Sequence, residues 1–213
     1  MTWRKQGSGE NTGRLVLLDA GGVVLDGLAT INVAKKVAVA TGADPAQVLS
    51  FFYEQLNPLA STGERSESWV FEQLSARFGN IDVVELAAVA RKSTLPLPNV
   101  AGVLERLSQQ VPLWMLSNYV APWLRDALIH RQLDQYFERL FISSETGMRK
   151  PDIAAFMEVI AVYGGAPEEI IFVDDKQENL EAATHSGVHA VLSNGNSSTW
   201  ETDLIGWLNT EAK

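Results

Sequence analysis

Hydrophobic and polar positions along the chain fall into two alternating rhythms. Short, unbroken apolar runs recur at Leu15–Leu18, in "VPLWMLSN" (Val111 to Asn118), in "RLFISSE" (Arg139 to Glu145), in "EIIFVDD" (Glu169 to Asp175) and in "HAVLSN" (His189 to Asn194). Each is rich in β-formers and continuous, as strands covered on both faces should be. Between them the apolar spacing changes to that of helices. In "NVAGVLERLSQQ" the residues Val100, Val103, Leu104 and Leu107 share one face, and "APWLRDALIHRQL" follows the second run. "DIAAFMEVIAVYGG" opens after Pro151 and stops at a glycine pair, and "QENLEAATHSG" ends at Gly187. Strand alternating with helix predicts an α/β fold with a parallel sheet.

Residues 28–95 break this rhythm. "INVAKKVAVATG", "PAQVLSFFYEQL", "SESWVFEQLSARFG" and "DVVELAAVARKS" all carry helical spacing, with no strand among them. The organisation expected is a flexible N-terminal segment over 1–13, a core from 14–27 and 96–213, and an all-α cap inserted over 28–95. The "LPLP" of residues 95–98 is the expected return hinge.

Composition narrows the function classes. Twenty-six acids face 17 Lys and Arg, a formal net charge of −9. Broad nucleic-acid or anionic-membrane surfaces need clustered bases, so neither partner is expected, although a local pocket can still take a small anion. The absence of cysteine excludes disulfides, thiolate zinc sites and a cysteine nucleophile. No apolar run approaches a membrane span and the N-terminus carries no signal-like apolar stretch. A cytoplasmic protein is the expectation.

The chemistry gathers where apolar runs end in oxygen. The first stops at Asp19, the second at Ser117 and the fourth at Asp174 and Asp175. Carboxyl ends of parallel strands share one edge, the usual ligand crevice, so these residues are expected to converge. Lys150, in "GMRKPD" before a helix start, is a fourth candidate. Carboxylates without histidine suit a hard cation such as Mg²⁺. A strand-tip carboxylate can attack phosphorus, while a lysine and a hydroxyl hold phosphate oxygens as charge builds. Gly21 and Gly22, after Asp19, expose backbone amides and let an anion approach.

In this order the motifs resemble the haloacid dehalogenase (HAD) superfamily, in its helical-cap subgroup with a DxGG first motif. "LVLLDAGGVVLD" is similar to its first motif, "LWMLSN" to the second, "RKPD" to the third and "IFVDDKQENLEAA" to the fourth. The resemblance covers residues 14 to about 192. It implies a doubly wound (Rossmann-like) parallel-sheet core with an all-α cap insertion, Mg²⁺, and hydrolysis of a small phosphorylated metabolite, such as a sugar phosphate, through an aspartyl-phosphate. Carried across, Asp19 is the nucleophile and a metal ligand, and the Gly21 carbonyl faces the metal. Ser117, with Asn118, binds the transferring phosphoryl group, and Lys150 bridges that group and Asp19. Asp175 binds the metal directly and Asp174 directly or through water, while Asn179 steadies the metal loop.

The chain departs from the family pattern at Gly21, where most family phosphatases carry a second aspartate that protonates the leaving group. Such help is worth ~10²–10⁴-fold. Two other readings therefore stay open: a metal-independent 2-haloacid dehalogenase-type hydrolase, and a catalytically silent ligand-binding protein. The acid pair Asp174–Asp175 favours a metal and phosphoryl transfer. Asp26 is expected to cap the first insertion helix, and Glu145 and Arg149 to pair structurally. His130, His185 and His189 have no ligand spacing.

Overall fold

The computed structural model describes residues 13–79 and 81–210; the expected flexible lead-in, Gly13 apart, lies outside them. Five parallel strands form one sheet: β1 (Leu15–Leu18), β2 (Leu113–Ser117), β3 (Arg139–Ile142), β4 (Ile170–Asp174) and β5 (His189–Leu192), in the order β3-β2-β1-β4-β5. β1 is central, and the order in which strands are added switches sides beside it, so the crevice above its carboxyl end is open to both flanking strands.

Period-two alternation along β1 explains the layering. Val16 and Leu18 point into a cluster with Val103, Leu104 and Leu107 of α6 (Val100–Ser108), Leu124 of α7 (Ala121–His130) and Trp200 of α11 (Ser197–Leu208). Leu15 and Leu17 point the other way, onto Phe156 of α9 (Ile153–Tyr163) and Leu180 of α10 (Gln177–His185). A strand buried on both faces has no place for a polar residue until it leaves the sheet, which is why β1 reads as four apolar residues and then an acid. β5 departs from the expectation of burial on both faces: as an edge strand it is only partly covered, with both His189 and Leu192 exposed. The third apolar run is also shorter than expected. Only Arg139–Ile142 is strand, and Ser143–Thr146 turn into the short helix α8, whose Ser143 and Ser144 hydroxyls accept hydrogen bonds from the Tyr119 and Ala121 N–H groups. The C-terminal helix α11 was not anticipated, although Trp200 and Leu204 lie one turn apart on its buried face.

Between β1 and α6 the chain is helical: α1 (Ala29–Thr41), α2 (Pro45–Phe51), a π-helical turn over Phe52–Leu56, α3 (Asn57–Ala60), α4 (Glu67–Phe78) and α5 (Val83–Ser93). These enclose an apolar cluster that includes Val37, Leu56, Phe71, Leu74 and Leu86. The cluster is completed by Val120 and Trp123 from the core side, with the Phe71 and Trp123 rings 5.2 Å apart. The outgoing and returning connections run side by side. Leu25 bridges Pro96 antiparallel, the Asp26 N–H donates to the Leu95 carbonyl, and the Leu97 N–H donates to the Val24 carbonyl. Asp26 is not the N-cap of α1, a position held by Leu28. Its Oδ1 instead accepts from the N–H groups of both Leu28 and Leu95, tying the two connections together. None of the helices among the described residues is long and apolar enough to cross a membrane.

Candidate active site

All five strands deliver a polar side chain to the same edge of the sheet: Asp19, Ser117, Ser143, Asp174 and Ser193, each at or just beyond a strand's last residue and each buried. Leu18 pairs with Val173, so continuing the register by one residue sets Asp19 beside Asp174. The Asp19 N–H still donates to the Val173 carbonyl, which fixes the start of the loop that follows.

Lys150 reaches into this group from the loop before α9. Its ammonium lies 2.9 Å from Asp19 Oδ1 and 2.6 Å from Asp174 Oδ2, over the face of Phe172 at 4.9 Å from the ring centroid. The side chain is 1 % exposed. A buried ammonium requires such pairing, because an isolated charge there would be costly. Asn118 holds the Lys150 backbone from β2's end: its Nδ2 donates to the Lys150 carbonyl at 2.7 Å and its Oδ1 accepts from the Lys150 N–H at 2.9 Å. Asn118 was expected to assist at the phosphoryl group, but both ends of its amide are engaged by Lys150, so its visible work is to position the lysine. Ser117, immediately before it, is buried at the tip of β2.

Asp174 is held at both carboxylate oxygens. Besides Lys150, its Oδ1 accepts from the Lys176 N–H at 2.8 Å, and Asn179 Nδ2 donates to both carboxylate oxygens at 3.0 Å. That contact fixes which end of the Asn179 amide faces the carboxylate. Its Oδ1 is left buried without a hydrogen-bond partner. Asp175 is exposed and leans over the glycine turn. A Cβ on Gly22, whose φ is +71°, would lie 2.5 Å from Asp175 Oδ2. Gly22 thus vacates the space that Asp175 occupies. It does not offer the free amide expected for substrate, since its N–H donates to the Leu25 carbonyl at 2.7 Å and its carbonyl accepts from Ser193 Oγ at 2.7 Å. Gly21 differs: a Cβ there would meet nothing within 4 Å.

Asp19, Asp174 and Asp175 each offer an oxygen within 4.8 Å of the others. Burial pushes the Asp19 carboxyl above the usual carboxylate range; Lys150 pulls it back and Asp174 raises it again. Asp175 is likewise raised, first by burial and then by the charges of Asp19 and Asp174. Three carboxylates share one contacting ammonium, that of Lys150, which leaves an excess of two negative charges among the groups in contact; Lys176 offsets part of it from a distance at Asp175. One divalent cation would balance them, and an all-oxygen donor set is what Mg²⁺ prefers. The orphaned Asn179 Oδ1 adds a buried acceptor next to the set. The residues present fit such a cation.

Sequence reasoning missed three participants. Ser193 anchors the glycine turn and could have been found, because the fifth apolar run also ends in a hydroxyl. Phe172 sits beneath the ammonium, hidden as one more apolar strand residue. Tyr119 packs against both the sheet cluster and the cap cluster. Burial pushes its hydroxyl up to about 12; a hydrogen bond with Thr94 opposes this, and the charges of Asp26 and Asp19 add to it. The expected pairing of Glu145 with Arg149 does not form. Glu145 takes a bidentate contact from Arg125 at 3.0 and 2.7 Å, because α8 lies against α7, and Arg149 Nε is buried without a partner.

Comparison with known proteins identifies the family and the fold. A family model described as haloacid dehalogenase-like hydrolase matches residues 14–187. A sesquiterpene phosphatase from Aspergillus oryzae is 34% identical over 125 residues, 55% of this chain and 62% of its own length. A glyceraldehyde 3-phosphate phosphatase from Methanothermobacter thermautotrophicus is 31% identical over 112 residues, 52% of this chain and 50% of its own. The match therefore spans less than two thirds of either relative. Among solved structures, a HAD-like family hydrolase from Porphyromonas gingivalis superposes with a TM-score of 0.72 at 25% identity, covering 93% of this chain and 98% of that one.

Proposed function

Because the chain belongs to the haloacid dehalogenase-like hydrolase family, we propose that it hydrolyses a phosphate monoester of a small metabolite, with Asp19 as the nucleophile. The observation that carries this reading is the charge balance at the sheet edge, where Asp19, Asp174 and Asp175 outnumber Lys150 by the charge of one divalent cation. A haloalkanoate displacement at carbon needs no such cation, and adjacent carboxylates without one repel.

Asp19 would attack phosphorus from the tip of the central strand, forming an aspartyl-phosphate as the ester oxygen departs. Lys150 and Ser117 would hold the transferring oxygens, the lysine kept in place by the Asn118 clasp and by Asp174. Asp19, Asp175 and the Gly21 carbonyl would hold Mg²⁺, with Asp174 reaching it directly or through water. When bound, the ion supplies positive charge to the phosphoryl oxygens and favours the ionised form of Asp19. Water attack on phosphorus then releases inorganic phosphate and restores Asp19. Gly21 brings no carboxyl to the leaving group, and the space beside it is open. This favours substrates whose leaving group departs as a weak base, such as a sugar 1-phosphate or an acyl phosphate. The helices over 29–93 would act as a cap that shields the site from bulk water, swinging on the paired connections around Asp26 and Leu95.

The test is a panel of phosphate esters, acyl phosphates and 2-haloacids assayed with Mg²⁺ or chelator, beside Asp19→Asn. The proposal expects Mg²⁺-dependent phosphate release that the variant loses. Halide release indifferent to chelation would establish the dehalogenase reading instead. Silence on every substrate, with ligand-induced thermal stabilisation, would establish the binding-protein reading.

A further inference from the structure

A second concave region lies away from the Asp19 centre, where cap helices α4 and α5 meet the C-terminal end of α7. Its volume is about 650 Å³, within the range of small-molecule sites. One wall is apolar, formed by Phe71, Val83, Val84 and Ala87. Val84 is 71% exposed there. The rest of the lining is polar, with Glu67, Ser68, Arg91, Lys92, His130 and Arg131.

The cations do not serve internal ion pairs. Arg91, which also lines the groove, is engaged by Glu67 at 2.9 Å and Asp126 at 2.8 Å, and so satisfies the acids nearby. Lys92 and Arg131 have no carboxylate partner among the described residues. The Arg131 guanidinium instead lies at 3.5 Å from the Lys92 carbonyl, which sets the two basic residues side by side. In a chain of net charge −9, two neighbouring unpaired cations beside an exposed apolar wall select for one chemistry.

We propose that this groove binds an organic anion with an apolar body, its acidic head on Lys92 and Arg131 and its body along Val83, Val84 and Ala87. Such a ligand would touch cap and core together. The site shares no residue with the Asp19 centre, so the inference stands apart from the phosphatase reading.

Octanoate is the probe, titrated calorimetrically into the full chain. Saturable binding is expected, weakened at least about tenfold in Lys92→Glu/Arg131→Glu, whose two sites are exposed and whose folding is checked by circular dichroism. Octanol, which keeps the body and removes the charge, is expected to bind at least about tenfold more weakly than octanoate. Asp19→Asn is expected to bind octanoate like the parent chain. The inference is overturned by absence of saturable binding at millimolar octanoate, by equal affinity in the charge-reversed variant, by equal affinity for octanol, or by loss of binding in Asp19→Asn. It is also overturned if sedimentation shows self-association abolished by Val84→Lys, which would make the groove an interface between copies of the chain.

Discussion

Asn118 clasps Lys150 by both of its main-chain polar atoms, donating to the carbonyl at 2.7 Å and accepting from the N–H at 2.9 Å. The amide therefore sets where the lysine backbone starts, and the two carboxylates set where its ammonium ends. Replacing Asn118 by Leu keeps the bulk and removes both bonds. Displacement of a catalytic group by about 1 Å can cost ~10²-fold in rate. Asn118→Leu is expected to lower kcat by roughly 10–100-fold, with KM moving less than kcat, in steady-state phosphatase kinetics. An unchanged kcat would show that the clasp does not position the lysine.

Lys150 ties two buried carboxylates together, so its removal leaves both without their cation. Breaking one side of a buried pair costs about 3–5 kcal/mol. Lys150→Met is expected to lose stability of that order in urea denaturation of the metal-free protein. It should recover part of the loss in Asp174→Asn/Lys150→Met, where one orphaned charge is gone. Two independent, additive losses would contradict the coupling seen in the geometry.

The neighbouring glycines should behave oppositely. At Gly21 a methyl group meets nothing within 4 Å, and φ is not left-handed; Gly21→Ala is expected to leave Mg²⁺ affinity within about twofold, since the main-chain carbonyl is retained. At Gly22 a methyl group would collide with the Asp175 carboxylate at 2.5 Å, and φ is +71°. Gly22→Ala is expected to weaken Mg²⁺ binding by at least about tenfold, roughly the 1.4 kcal/mol equivalent of one decade, and to destabilise the fold by more than about 1 kcal/mol. Calorimetric Mg²⁺ titration of both variants checks the pair.

The raised carboxyls give a pH signature. Asp19 and Asp175 have folded-state values above their unfolded ones, so the metal-free fold is most favoured where both are protonated and loses stability as pH rises through the folded values. A divalent cation needs the same groups ionised, and its stabilisation runs in the opposite sense. The rise in Tm on adding saturating Mg²⁺ is expected to be large near pH 7.5 and to shrink steadily toward about pH 4–5, where free carboxylates titrate. A Mg²⁺ increment constant across that range would exclude these acids as its ligands.

What the sequence disclosed, and what it withheld, follows from how local each signal is. β1 and β4 were legible because both faces are buried and the first charge marks the strand's end. Asp19, Ser117 and Asp174 could be gathered because parallel strands share a carboxyl edge, and Lys150 was singled out in the loop "GMRKPD" before a helix start. β5 was read as fully buried because edge position depends on strand order, which is not written in the run "HAVL". The contacts of Asn118 and Gly22 were hidden for the same reason. Asn118 finds its partner 32 residues away, and Gly22 makes room for Asp175 across the sheet. Neither residue type announces such a tertiary task. Asp26, read as a helix cap, turned out to join two connections 69 residues apart.

The central claim is that Asp19 becomes covalently phosphorylated. Rapid acid quench of the protein with radiolabelled acetyl phosphate, followed by peptic mapping at low pH, where an acyl phosphate survives, tests it directly. The account expects Mg²⁺-dependent label on the peptide that contains Asp19 and none in Asp19→Asn. Phosphate release by Asp19→Asn at the parent rate, or label on a different residue, would contradict it.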